Sequence, residues 1–458
     1  MPKSISHKVA ILRLELAKLR GFVNPADVFL SIHKDDPNTF WVDRSTNPDE
    51  PVSVIGSAGS ILALGNNPLE AIANHLARIK ESIESFPEAD IPFSFRPGLV
   101  GYLGYEMLKG ARDIAPGELA ELMIVDRAMV FDHRDRHMYF IGLFETEAEF
   151  QNWHRAALLR LTLVGGELAS YTQRTKEPKI ISSKLRHSPD EYLELIDRCK
   201  QHIASGDVYQ LCLTNQILIE HDADPLKTFL TLRQQNPAPY GSYVKVGKRE
   251  IVSSSPEQFL KVTAEGQISS KPIKGTRPRS QVLVEDELLA KELRENQKEQ
   301  AENLMIVDLM RNDLGKICEP GSVTVEKLFD VESYATVHQL VSTVTGQLQN
   351  KQTAVTALEA CFPAGSMTGA PKIRAIEILE DLEAGPRGVY SGAIGYLGFD
   401  GSADLGMTIR TLVFEGNLAS LGVGGGITID SNPEQELQET MLKGEALLRT
   451  LGGTTWNH

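Results

Sequence analysis

Apolar and polar positions alternate over short stretches in the first third of the chain and recur at helical spacing further on. "SVIGSAGSILALG" and "AMVFDHRDRHMYFIGLF" set short apolar runs beside turn-forming residues, which predicts strands and hairpins. "PLEAIANHLARIKESIESF" repeats apolar residues every three to four positions behind Pro68, so it predicts an amphipathic helix with proline in its first turn. Composition turns polar through "SYTQRTKEPKIISSKLRHSPDEY". This predicts a linker over residues 166–187, between an N-terminal domain (1–165) and a larger C-terminal one (188–458). The second part opens with Ser188, Pro189 and Glu191, a capping box with proline at N1, ahead of a helix that should stop at Gly206. A long charged helix follows over about 285–314, then a helix after Pro371, strands within 389–414, and a terminal helix from about 433. Strands and helices mix without βαβ spacing, so the expected fold class is α+β, or mixed α/β.

One internal echo stands out. "GLVGYLGYE" (98–106) and "GAIGYLGFD" (392–400) are identical at five of nine positions. Convergence of glycine-aromatic strands and duplication of a sheet element explain it equally well.

Composition narrows the function classes. With 41% hydrophobic and 24% charged residues, the 458-residue chain can bury a sizeable core and is not disordered. A formal net charge of -14 argues against a general nucleic-acid binder, which needs a basic face. It leaves room for an anionic small molecule in a locally positive site. The four cysteines form no CxxC pair, as expected of a reduced intracellular protein. Charges interrupt every apolar run, so neither a signal peptide nor a membrane span is expected, and the predicted location is the cytoplasm.

Candidate chemistry lies in the second part. "KEQAENLMIVDLMRND" places Glu299 and Glu302 on one helix face, and "PEQELQETMLKGEALL" does the same for Glu436, Glu439 and Lys443. By spacing alone, solvated acidic faces are the commoner reading. Facing a cleft, two such helices would suit Mg²⁺, a hard cation that takes one or two carboxylates alongside waters and substrate oxygens. "FPAGSMTGAPKIRAIEIL" leads small residues into a helix start, where free N–H groups favour anions, but its spacing is not that of a Walker A loop. Gly424, Gly425 and Gly426 either let backbone approach a ligand or form a tight sheet corner. In "KPIKGTRPR" (271–279), four cations alternate with Pro272, Gly275 and Pro278, which excludes a helix or an inner strand.

Together "SGDVYQ", "SSSPEQF", "KPIKGTRPR", "AENLMIVDLMRNDLG", "VHQLVSTV", "FPAGSMTGAPK", "SGAIGY", "TIRTLV" and "GGGI…E…QET" resemble the chorismate-utilising enzymes. These are the large subunits of anthranilate synthase and aminodeoxychorismate synthase, with isochorismate and salicylate synthases as cousins. The resemblance runs from residue 205 to about 443, and the first 165 residues match more loosely. It implies large antiparallel sheets packed together with helices outside, and an active site in the C-terminal part. It implies Mg²⁺ held by Glu302 and Glu439, with Glu299 and Glu436 beside them through water. Tyr390, Arg410 and the Gly426 backbone fall where the family grips the enolpyruvyl carboxylate, and a planar guanidinium suits a carboxylate. Lys443 would meet a carboxylate oxygen. His338 matches a family histidine on the C4 side of the ring. Glu257 matches the general acid, and Thr276 would hold the substrate or support its loop.

Lys274 refines the resemblance. Anthranilate synthases carry alanine at this position of the PIxGT loop; lysine is characteristic of the aminodeoxychorismate synthase branch, where it is thought to act as a nucleophile. Its attack at C2 as the 4-hydroxyl leaves, followed by attack of ammonia at C4, gives retention through two displacements. The amine must be neutral to attack, which desolvation and nearby cations such as Arg277 would favour. Gln210 stands where the water-using cousins carry a lysine base, which favours ammonia as the second nucleophile.

The expected reaction is therefore chorismate plus ammonia to 4-amino-4-deoxychorismate, on the route to 4-aminobenzoate and folate. No glutaminase nucleophile elbow is present, so the resemblance implies a separate glutamine amidotransferase subunit in a heterodimer. Some relatives bind tryptophan in the N-terminal part, which makes it a candidate ligand there. Two alternatives stay open: an anthranilate synthase large subunit, aminating C2, and a non-catalytic scaffold that activates an amidotransferase.

Overall fold

The computed structural model describes residues 11–87, 90–109 and 119–453. Two large sheets, of thirteen and nine strands among these residues, stack with helices on their outer faces. Leu12–Leu19 pairs in parallel with Ile83–Ser85, and the other described strand pairs are antiparallel. Between the sheets, Phe40, Val42 and Val130 of the larger meet Val100, Tyr102 and Tyr396 of the smaller. Phe29, Phe229, Leu447 and Leu448 bury the helices on the far side of the larger sheet. Ile306, Val307 and Met310 seat helix Gln297–Gly315 against the smaller one.

Neither sheet respects a boundary at residues 166–187. In the larger, Tyr240–Val246 pairs with Thr39–Asp43, Gly241 opposite Asp43. In the smaller, Ala393–Gly398 pairs with Gly98–Leu103. The expected linker itself holds the helix Glu167–Arg174 and the strand Ile180–Leu185, which pairs with Gln210–His221.

The echoing segments are neighbours. Gly101 faces Gly395, with Gly98 opposite Gly398, so the two copies meet about a local two-fold axis. Each has a further strand on its outer side, Ala120–Val125 and Ala403–Met407. A Cβ on Gly101 would strike the carbonyl of Glu121, and one on Gly395 the carbonyl of Asp404, so both copies need glycine for the same reason. This symmetry favours duplication of a hairpin over convergence.

Local signals place the helices. Ser188 Oγ accepts from the Glu191 amide at 3.3 Å, Glu191 returns the bond to the Ser188 amide at 2.7 Å, and the helix Pro189–Ala204 ends before Gly206 at φ 83°. The predicted helix over 285–314 is instead two, Leu283–Glu295 and Gln297–Gly315. Asn296 breaks it: its side chain accepts from the Glu299 amide at 3.1 Å and caps the second helix.

Candidate active site

Lys274 sits in an irregularity at a sheet edge. The strand Ile273–Pro278 pairs with Val337–Gln347, but the register slips between Ile273 and Thr276. Gly275 absorbs the slip at φ 82°, a conformation open to glycine. A Cβ there would also strike Leu293 and Glu299. This is why a lysine precedes a glycine: the bulge takes Lys274 out of the ladder and turns its side chain inward. Its Nζ lies 4.0 Å from Glu302 Oε2 and would be 3.3 Å from a Cβ placed on Gly426.

The bare backbone of Gly424–Gly426 runs between that lysine and the second acidic helix, Pro433–Thr450. On one face, a Cβ at Gly426 would collide with Gln210 Nε2. On the other, one at Gly425 would lie 3.5 Å from Lys443 Nζ and 3.6 Å from Glu436 Oε2. Gln210 opens the strand paired to these glycines, and its buried Oε1 has no hydrogen-bond partner among the described residues. An unsatisfied acceptor here suits an N–H donor on a ligand.

Glu257 lies in the connection between Arg249–Ser255 and Gln258–Val262. Burial pushes its carboxyl up to about 7, against the opposing pull of Ser366, Lys274 and the Ile273 amide. Ser366 Oγ donates to Glu257 Oε1 at 2.9 Å. The loop that looked like an anion cradle therefore supplies a hydroxyl to this acid, a role the sequence did not reveal. Its Lys372 turns away to Asp313 and to the Cys361 carbonyl, 2.8 Å away. Arg410 carries a left-handed backbone at φ 49° and sets its half-buried side chain within the field of Glu257. A non-glycine residue held so is strained, as functional positions often are. Tyr390 is buried, its ring against Gly422. Gly422 precedes Gly426 by four residues on the same strand, about 13 Å away at strand rise.

The acidic helices face one another. Glu302 is nearest to Lys274, and burial raises its carboxyl despite Lys274 and Lys298. Glu436 is buried and accepts from Ser431 Oγ at 2.8 Å. Against the opposing effect of burial, Lys443 holds Glu439 low, 2.9 Å away. Lys443 also donates to the Gly424 carbonyl at 3.0 Å. Glu299 meets Arg277 at 3.5 Å. Lys298, which sequence reasoning passed over, reaches both helices: Glu302 at 3.8 Å and Glu436 at 3.7 Å. No group of three or more His, Cys, Asp or Glu converges as a metal cluster among the described residues. The donors are all oxygens and a lysine ammonium bridges two of them, which fits a cation bound by one or two carboxylates with waters, as Mg²⁺ is.

His338 and Thr276 sit apart from this group, and Arg277 stands at its edge. Both ring nitrogens of His338 are engaged, Nε2 with Asp286 at 3.0 Å and Nδ1 with Ser333 at 2.8 Å, and Arg279 grips the same Asp286. Thr276 is exposed, opposite Gln339. Arg277, the cation expected to activate Lys274, is itself held by Glu292 at 2.6 Å as well as by Glu299.

A family model described as chorismate binding enzyme matches residues 37–449. The chain belongs to the chorismate binding enzymes. It is 41% identical over 453 residues to an aminodeoxychorismate synthase of Streptomyces griseus, covering 92% of this chain. The chain spans 62% of the length of that relative. It is 33% identical to anthranilate synthase component 1 of Saccharolobus solfataricus, across 96% of this chain and 100% of that one. Among solved structures, anthranilate synthase component I from Streptococcus pneumoniae superposes with a TM-score of 0.72 at 27% identity, covering 98% of this chain and 93% of that one. The expected architecture, antiparallel sheets packed together with helices outside, is thus found in this member of the chorismate binding enzymes. Among the described residues, no helix is long and apolar enough to cross a membrane.

Proposed function

We propose that this chain replaces the 4-hydroxyl of chorismate by an amino group, giving 4-amino-4-deoxychorismate, with ammonia delivered by a partner that hydrolyses glutamine. The observation that carries this reading is Lys274, turned into a site it shares with Glu302, Gly426, Gln210 and the electrostatic field of Glu257. The similarity to aminodeoxychorismate synthases supports it.

In this reading Lys274 Nζ bonds to C2 of the ring as the C4–O bond breaks and the ring double bonds shift. Glu257, raised to about 7, keeps a proton near neutrality and gives it to the departing hydroxyl, which leaves as water. Ammonia then attacks C4, the double bonds return, and the Lys274 amine is expelled. Glu257, now a carboxylate, takes the proton that ammonia sheds. Gln210 Oε1 offers an acceptor to an N–H. The guanidinium of Arg410 and the free backbone at Gly426 suit a carboxylate of the substrate. Glu302 and Glu439, supported by Glu299 and Glu436, would hold Mg²⁺. When bound, the ion would neutralise and orient the ring carboxylate.

A second reading, amination at C2, is favoured by the match along the whole of the Saccharolobus solfataricus anthranilate synthase component. Lys274 opposes it by occupying the approach to C2. Lys274→Ala is the direct test. Loss of 4-amination, with the fold intact by circular dichroism, is expected. Unchanged 4-amination would overturn the nucleophile role.

A further inference from the structure

Four carboxylates and four cations make up the cluster between the acidic helices. Glu299 pairs with Arg277, Glu439 with Lys443, and Glu302 with Lys274. The fourth cation, Lys298, is alone among them in reaching carboxylates on both helices, Glu302 at 3.8 Å and Glu436 at 3.7 Å. It is also the most exposed, at 57% against 14% for Lys274, 24% for Arg277 and 40% for Lys443. Its partners hold fixed positions: Glu436 is bonded to Ser431, and Glu302 lies beside Lys274. An ammonium on a flexible, solvated stem is the member of such a set that can leave at little cost.

We infer that Lys298 is a tethered counter-ion that spans the two acidic helices when no metal is bound and gives way to a divalent cation. This rests on the reading of the cluster as a Mg²⁺ site and adds a residue that sets how tightly the site takes the ion. The exchange replaces one positive charge by two between the same carboxylates. The balanced cluster then becomes net positive, which suits an anionic substrate. With Lys298 in place, Mg²⁺ must displace it from Glu302 and Glu436. Without it, Glu302 keeps Lys274 but Glu436 loses its ion pair, and the cluster is left net negative and draws the ion more strongly. Each half-exposed pair is a weak interaction, so the tightening on its removal should be about threefold to tenfold. It should shrink with added salt, which screens exposed charges.

The test is calorimetric titration of Mg²⁺ alone into the full chain, without chorismate, for wild type, Lys298→Met and Lys298→Arg. The expected result is tighter binding by Lys298→Met and near-wild-type binding by Lys298→Arg. Thermal unfolding gives a second readout. Lys298→Met should unfold at lower temperature than wild type without metal and at the same temperature with saturating Mg²⁺, whereas a purely structural role would lower both. Equal or weaker Mg²⁺ binding by Lys298→Met would overturn the counter-ion role and leave the metal site standing. Absence of Mg²⁺ binding by every form would overturn both.

Discussion

Gly426 and Gly424 lie two residues apart on one strand, yet their missing side chains face different neighbours. A Cβ on Gly426 meets the movable ends of Gln210 and Lys274, while one on Gly424 meets the fixed carbonyl of Leu213. Gly426→Ala should therefore lower kcat/KM for chorismate roughly tenfold, about 1.4 kcal/mol of barrier, with little change in Tm. Gly424→Ala should instead destabilise the fold by about 1–3 kcal/mol, as overpacking does, measured by urea unfolding. Glu257 makes a pH-dependent prediction. Its carboxyl is raised from the usual 4.5 to about 7 on folding, so the stability linked to it is complete at acid pH and lost as pH rises through about 7. Glu257→Gln removes that loss. The variant should gain on wild type between these two values, by up to about 3 kcal/mol at neutral pH, read from unfolding curves at several pH values. A gap that does not change with pH would show that the carboxyl is not raised. At this scale the sequence revealed residue types but not their company. Lys274 was legible from its motif. Ser366 beside Glu257 was not, because a loop and a strand far apart in the chain bring them together.

Helix starts were legible where the signal is local. The Ser188 capping box and the prolines at 68, 189 and 433 mark starts the structure reproduces. The break at Asn296 escaped because a capping asparagine inside a charged run leaves the helical period almost undisturbed. Asn296 accepts from Glu299 and donates to Glu292 at 3.0 Å, joining two helices at a bend that sets where Glu299 and Glu302 point. Asn296→Ala should cost about 1 kcal/mol of stability in urea unfolding, and Asn296→Asp much less, since aspartate also caps. Equal losses in both would assign the effect to the Glu292 bond instead. The bulge at Lys274 was illegible for another reason: register belongs to a pair of strands, and only Gly275 hinted at it.

Across the whole molecule, the polar stretch at 166–187 suggested a division that neither sheet shows. Composition reports exposure, and the strand Ile180–Leu185 is a largely exposed edge that still pairs with Gln210–His221. The echo of residues 98–106 in 392–400 proved more informative, because it joins the first and last parts of the chain in one sheet. Within that frame the acid, the lysine, the glycine backbone and both acidic helices come from segments spread over nearly 200 residues. The proposed activity of this assembly is amination of chorismate at C4. Its most direct test is to incubate the full chain with chorismate, Mg²⁺ and an ammonium salt at alkaline pH, then divide the mixture and add aminodeoxychorismate lyase to one half. Amination at C4 should give 4-aminobenzoate in the half with lyase and none in the other. Fluorescent anthranilate in both halves would place the new nitrogen at C2 and contradict it.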